Sequence, residues 1–388
     1  LGPVAMGVWY LLNLVLQYGA MVHLGALNGM NREIPGALAR NDPEEAQRVR
    51  GVALGFVLVS YVVAMAVLGG VLVPFGVVPT GLLAWLMAGL LAAQQLYSFA
   101  LMDLKVQTKF LAVARLQLIS ALTFPLATIP LAFTWGLGGF VAGQIIVLAL
   151  SSAIAAVQAP GLFRPRFHLP QSIHLIRIGF PIMLVGITHA VFATVDRWVI
   201  QAQLGAEALG HYSLAIMALG AVNLLPHVVA QQVYPRMVMA WSRKPNWSSL
   251  EPLMARQRWT ALAVSVPAVL VVFAVAPWGI RTFLPAYVPG IPALLITMAI
   301  PIINVAGLGF GHAFNVIGLQ HWTLAAIATA AIANLSVSLL LVKSLGLSGV
   351  AIGTNAGFLV FASVMILAGA LVRRSQARHD DGADAPRP

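Results

Sequence analysis

The chain has 388 residues, of which 60% are apolar and only 9% charged, and its mean hydropathy is +0.90. A soluble domain carries about 25% charged residues, so a water-exposed surface is excluded for most of this chain and lipid must be its main solvent. The net charge of +11 is then a matter of membrane topology and not of nucleic acid, and the lack of Cys excludes disulfides, thiolate metal sites and cysteine nucleophiles.

Crossing a bilayer takes about 20 apolar residues. Eleven runs are long enough: 4–27, 52–74, 78–101, 111–133, 137–157, 178–200, 208–233, 259–280, 290–316, 322–342 and 347–372. Lipid cannot satisfy free backbone amides, and the runs are continuous instead of alternating, so all are expected to be helices. The expected class is an all-α polytopic membrane protein.

The first span carries Asn13, Gln17 and Asn28 within an arc of about 60° on a continuous helix, with His23 off that arc. After it comes NREIPGALARNDPEEAQRVR, with four Arg. The third span is followed by Lys105, Lys109 and Arg115. The fifth is followed by GLFRPRFHLPQSIHLIR, with Arg164, Arg166 and Arg177. This stretch reads as a cytoplasmic linker with a short amphipathic helix, a joint more than a ligand site for His168 or His174. The sixth span holds His189 and Asp196, seven residues and about 20° apart on one helix face, with Arg197 turned away by about 100°.

On the seventh span, Tyr212, Asn223, His227 and Gln231 fall within about 100° of arc. Arg236, Arg243, Lys244, Arg256 and Arg258 come after it. The ninth span has Asn304, His312 and Asn315 within about 80°. Pro74, Pro277 and Pro301 are candidate bends. Beyond the last span lie Arg373, Arg374, Arg378 and Arg387, the last three in a polar tail, 374–388, that is expected to be disordered.

Nineteen basic residues therefore share one side, while the other side has only Arg281 and Lys343. The basic side is expected to be cytoplasmic, and with it the C-terminus. External loops are too short to carry a catalytic domain, and no nucleotide-binding or hydrolase motif is present. The chain is not expected to be an enzyme or to hold a cofactor or metal.

The sequence also repeats itself. Leu1, Gly2, Ala5 and Gly7 match Leu204, Gly205, Ala208 and Gly210 at an offset of 203, and the same offset aligns PFG at Pro74 with PWG at Pro277. Further on, Gly136, Leu137, Gly139 and Gly143 match Gly346, Leu347, Gly349 and Gly353 at an offset of 210. The expected organisation is an N-terminal lobe over 1–158, the linker 159–177, a C-terminal lobe over 178–373 and the tail. Shifted back by 203, the sixth span would find its partner upstream of Leu1, so a twelve-helix, six-plus-six pseudo-two-fold protein lacking its first helix is expected. Such repeats mark transporters, with substrate near the membrane midplane.

GFP at Gly179–Pro181, Asp196 beyond it, ALGHYSLA, VYPRM at Val233–Met237 and GLSGVAIG together resemble the O-antigen type polysaccharide flippases. These belong to the multidrug/oligosaccharidyl-lipid/polysaccharide exporter superfamily. The resemblance covers nearly the whole chain and is less specific for the substrate. It implies translocation of a polyprenyl-pyrophosphate-linked oligosaccharide across the bacterial inner membrane, by alternating access through a cavity between the lobes. Membrane lipids, H+ or Na+, and a glycan polymerase or ligase complex are the partners to consider. A cation-coupled multidrug antiporter and a lipid II-type flippase remain alternatives.

Polar groups inside a membrane are costly and face protein or water. Asn13, Gln17, Asn28, Tyr212, Asn223, His227 and Gln231 either meet sugar hydroxyls or bond neighbouring helices. Arg197 is the candidate for substrate phosphate, and Asp196 with His189 for ion coupling.

Overall fold

The computed structural model describes residues 1–67, 81–159 and 161–383. Among these the chain is helical almost throughout and has no strand, and seven helical segments are long and apolar enough to cross a bilayer. The protein is an all-α, multi-pass membrane protein. It divides into two compact units, one formed by Leu12–Ala190 with Leu1, the other by Gly2–Leu11 with Val191 onward.

The first unit begins within α1 (Pro3–Gly19) and continues through α2 (Ala26–Ala39), α3 (Pro43–Val67), α4 (Leu82–Val106), α5 (Phe110–Gln158) and α6 (Leu169–Phe192). The first expected span is not one helix. It breaks between α1 and α2, where Leu24 and Gly25 have φ of 48° and 89°. A break inside lipid frees backbone groups that need new partners. Gln95, almost wholly buried on α4, donates to the carbonyls of Gly19 at 3.1 Å and Ala20 at 3.4 Å, and His23 Nδ1 accepts from the Gly25 amide at 3.1 Å. The arc drawn through Asn28 therefore fails, because Asn28 stands on a different helix from Asn13 and Gln17. At the start of α3, the Asp42 carboxylate accepts from the Glu45 amide at 2.9 Å, and Pro43, Glu44 and Glu45 fill the first turn. These are the signals of a helix N-terminus.

The linker docks on this unit. The Arg166 amide donates to the Gly51 carbonyl at 2.8 Å, and a Cβ at Gly55 would overlap the Arg166 carbonyl. Likewise a Cβ at Gly179 would overlap the Gly25 carbonyl, and one at Gly29 the Leu175 carbonyl. Small residues on α2 and α3 thus let the linker and α6 approach to backbone contact. The amphipathic part of the linker is the first turns of α6 itself.

The second unit holds α7 (Val195–Arg243), α8 (Glu251–Phe283), a 3-10 turn (Pro285–Gly290), α9 (Ile291–Thr297), α10 (Ile300–Gly307), α11 (Phe310–Ile317) and α12 (Gln320–Ala383). The first turns of α1 pack here. A Cβ on Gly7 would overlap the Ala206 carbonyl, and one on Gly210 the Pro3 carbonyl. Gly7 and Gly210, equivalent in the repeat, meet each other in space. α12 runs through the expected disordered tail as far as Ala383. Ala, Arg and Gln in this stretch favour helix, and Pro comes only after it.

Two expected spans fuse into α5 and two into α12, each pair joined by one non-helical glycine. Gly136 has φ 58° and ψ −133°, and Gly346 has φ 55° and ψ −132°. These dihedrals suit only glycine. Beyond each turn the chain folds back on itself. Gly139 packs on Leu131 and Gly143 on Thr128; Gly349 packs on Leu341 and Gly353 on Ser338. All five positions of one hairpin map onto the other at the offset of 210, so the duplication read from sequence holds down to backbone contacts.

Two further spans differ from expectation. The sixth is interrupted at Thr194, with φ −125° and ψ −2°, so His189 on α6 and Asp196 on α7 share no helical face. The ninth breaks at Met298–Ala299 and at Leu308–Gly309, which separates Asn304 on α10 from His312 and Asn315 on α11. Of the candidate bends, Pro277 lies inside α8 and Pro301 in the first turn of α10, while Pro74 lies outside the described residues.

Candidate substrate site

Within the second unit, α7 folds back at Gly205, φ 83° and ψ −179°, bringing Asp196 beside Tyr212. Both are buried. The Tyr212 hydroxyl donates to Asp196 Oδ2 at 3.0 Å, and the Arg197 amide donates to Asp196 Oδ1 at 2.8 Å. A carboxylate in the first turn of a helix is the natural acceptor for that turn's free amides. The hydroxyls of Thr297 on α9 and Thr354 on α12 stand near Tyr212 and donate to the carbonyls of Ala293 and Val350 in their own helices. Beside them Asn355 donates to the Ile296 carbonyl at 2.9 Å, where α9 ends. The network ties α7, α9 and α12 together around one carboxylate, and it commits Tyr212 to the protein interior.

Arg197 is placed differently. Its backbone serves Asp196, but its guanidinium forms no ion pair among the described residues, and its buried Nε has no hydrogen-bond partner. One turn further along α7, Gln201 Oε1 is also buried without a partner. Tyr10 lies within electrostatic reach of Arg197, and Tyr287 within reach of Tyr10. The Tyr287 ring meets His211 edge-on with 6.2 Å between centroids, and His211 Nδ1 is a third buried atom without a partner. The result is an incompletely bonded cluster with donors and acceptors both available, in which Arg197 and the Asp196 carboxylate attract each other and Glu207 Oε1 lies 3.9 Å from His211 Nε2.

The remaining candidates are spread over the fold. Asn13 and Gln17 are half-buried on α1, Asn28 on α2 and Asn223 on α7. His189 is exposed on α6. His227 and Gln231 stand on α7, but their side chains lie outside the described residues. Sequence reasoning missed Tyr10, Gln201, His211 and Tyr287. Only Gln201 had a signal, its i, i+4 spacing from Arg197.

This fold is shared with solved transporters of the MOP superfamily. A multidrug resistance MATE family transporter of that superfamily, in an inward-facing conformation, matches over 97% of this chain and 92% of its own, with a TM-score of 0.80 and 16% identity. A mutant of the Vibrio cholerae MATE transporter VcmN matches over 96% and 95%, with a TM-score of 0.64 and 17% identity. A Pyrococcus furiosus MOP superfamily transporter, described as having a binding pocket of reversed polarity, matches over 97% and 94%, with a TM-score of 0.59 and 17% identity. At these identities the likeness establishes the fold.

The family follows from the sequence match. Residues 38–287 fit the model of the family described as polysaccharide biosynthesis protein, and the chain belongs to that family. No protein of curated function matches it in sequence.

Proposed function

We propose that this protein is a flippase that moves a polyprenyl-pyrophosphate-linked oligosaccharide across the bacterial inner membrane by alternating access, for cell-surface polysaccharide biosynthesis. The observation that carries the reading is Arg197, whose buried Nε has no hydrogen-bond partner and whose guanidinium forms no close ion pair among the described residues. A pyrophosphate supplies that partner through charge-assisted hydrogen bonds. Family membership and the MOP fold support the same reading. A cationic substrate fits poorly, because the nearby carboxylate of Asp196 is already engaged on both oxygens.

In this reading Arg197 takes the phosphate, and Asn13, Gln17, Asn28, Asn223, His227 and Gln231 offer amides and imidazole to sugar hydroxyls. Tyr212 fixes Asp196, the leading candidate for H+ or Na+ coupling, with His189 second. The C-terminus is cytoplasmic, the repeat halves 1–158 and 178–373 are the two lobes, and a glycan polymerase or ligase receives the product.

The test is lipid extraction from a strain lacking the full-length gene, complemented with wild type, Arg197→Gln or Asp196→Asn. The expected result is an undecaprenyl-linked oligosaccharide held on the cytoplasmic face, cleared by wild type and not by Arg197→Gln. No accumulation, with lost resistance to cationic dyes instead, would replace the flippase reading with the antiporter.

A further inference from the structure

The two halves of the repeat are equivalent up to one insertion, and its place in the fold is informative. The offset is 203 up to the proline motifs and 210 at the hairpins. The second offset already carries α4, Leu82–Val106, onto 292–316, beside the start of α9 at Ile291 and the end of α11 at Ile317, and it carries Phe110, the start of α5, onto Gln320. α11 is thus the counterpart of the last two turns of α4, set off by a break at Leu308–Gly309 that α4 lacks. It lies between Gly309, φ 95°, and Gly318, φ 80°, so two glycines in conformations that other residues avoid flank a helix of two turns.

This segment carries side chains of a polar site whose chemistry differs from that at the end of α4. His312 Nδ1 meets the Gln257 amide nitrogen at 3.2 Å, and the Tyr234 ring stands 5.5 Å from the imidazole. The guanidinium of Arg258 lies 5.5 Å above the ring of Phe310, the first residue of α11. Gln257 is completely buried, and its Oε1 has no partner. Whichever way that amide is turned, only one of its two ends meets His312. A buried amide left half-bonded disfavours the fold, and its retention beside an aromatic ring and a cation suits a sugar phosphate.

We propose that α11, Gln257, Arg258 and Tyr234 form a second binding site, which takes the phosphate-bearing first sugar of the lipid-linked substrate at the basic-loop end of the second unit. Arg258 receives the phosphate, the free end of the Gln257 amide receives a sugar hydroxyl, and displacement of α11 about its two glycines admits the ring. The identity of the ligand rests on the flippase reading, and the site itself rests on this geometry.

The test uses the full chain in nanodiscs, with undecaprenyl pyrophosphate and undecaprenyl-pyrophosphate-linked N-acetylglucosamine as probes. Wild type, Gln257→Leu, Arg258→Gln and Arg197→Gln are compared by binding titration and thermal unfolding. Gln257→Leu keeps volume and removes the amide, so it folds where an α11 deletion could fail. Gln257→Leu is expected to weaken the sugar-bearing probe about fivefold to tenfold, the weight of one hydrogen bond, and to leave undecaprenyl pyrophosphate unchanged. Arg258→Gln is expected to weaken both probes. Wild-type affinity in both variants overturns the second site and leaves the flippase reading standing. Failure of wild type to bind either probe overturns both.

Discussion

The hairpins of α5 and α12 are the same object made twice, but the connections that lead into them are not. At both hairpins a glycine in the same unusual conformation turns the chain, and the next two glycines bring backbones into contact. The connection from α4 to α5 is short and closed by charge. Asp103 is buried, accepts from Arg50 Nε at 2.6 Å and from Gln107 Nε2 at 2.6 Å, and lies one turn from the end of α4. In the second unit this place is taken by α11, with a half-bonded amide and a cation over an aromatic ring. Duplication has kept the backbone-close packing, which admits no other residue, and has let the connection diverge, where side chains can be exchanged one at a time.

The hairpins can be broken most severely by filling the contact glycines. Gly143→Leu places a side chain where a Cβ alone would lie 2.7 Å from Thr128 Cα, and Gly353→Leu where it would lie 2.7 Å from the Ser338 amide. Backbone cannot yield as a flexible side chain does, so each change is expected to cost about 3 kcal/mol or more. The purified protein should lose most of its monodisperse fraction in both cases. Tolerance of Leu at one site but not the other would break the equivalence.

The connections should respond unequally. Arg50→Gln leaves Asp103 buried with one neutral donor and is expected to cost about 3–5 kcal/mol, read as a fall in the thermal midpoint. Converting Asp103 to Asn as well should recover much of that loss. Gln257→Leu in the second unit is expected to cost less than about 1 kcal/mol, because the amide it removes was never fully bonded. Equal losses at Arg50 and Gln257 would mean that both connections are structural. At the turns themselves, Gly136→Ala and Gly346→Ala meet open space and should pay only backbone strain, about 1–3 kcal/mol and closely matched.

Sequence made the fold class and the repeat legible, because lipid forbids all but helices and because glycine is irreplaceable at Gly136 and Gly346. It did not reveal the helix breaks at Gly25, Thr194 and Gly309. Hydropathy runs unchanged through them, and the groups that stabilise them, such as Gln95, come from distant helices. Arcs drawn across those breaks therefore failed for Asn28, for His189 with Asp196, and for Asn304 with His312. Arg197 was legible as a charge in a span. The missing hydrogen bond at its Nε was not, since the neighbouring Asp196 turns one carboxylate oxygen to Tyr212. Gln257, between two Arg, reads as loop and gave no sign of burial.

The smallest expected effect is at the first turns of α3 and α8, where each half of the repeat presents an acid. Glu45 accepts from Gln171 at 3.0 Å, and Glu251 pairs with Arg373 at 3.1 Å. Both contacts are polar and partly solvated, with the Arg373 side chain 68% exposed. Exposed pairs contribute about 0–1 kcal/mol, and an acid in a first turn adds about 0.3–1 kcal/mol through the helix dipole. Glu45→Gln and Glu251→Gln should therefore each lower stability by no more than about 1 kcal/mol, measured by thermal unfolding at low ionic strength. Raising salt to 1 M shortens the screening length to about 3 Å and should erase most of the difference from wild type. A loss that survives high salt at Glu45 alone would mean that the docked linker, and not charge, depends on that residue, and would add a further asymmetry between the halves.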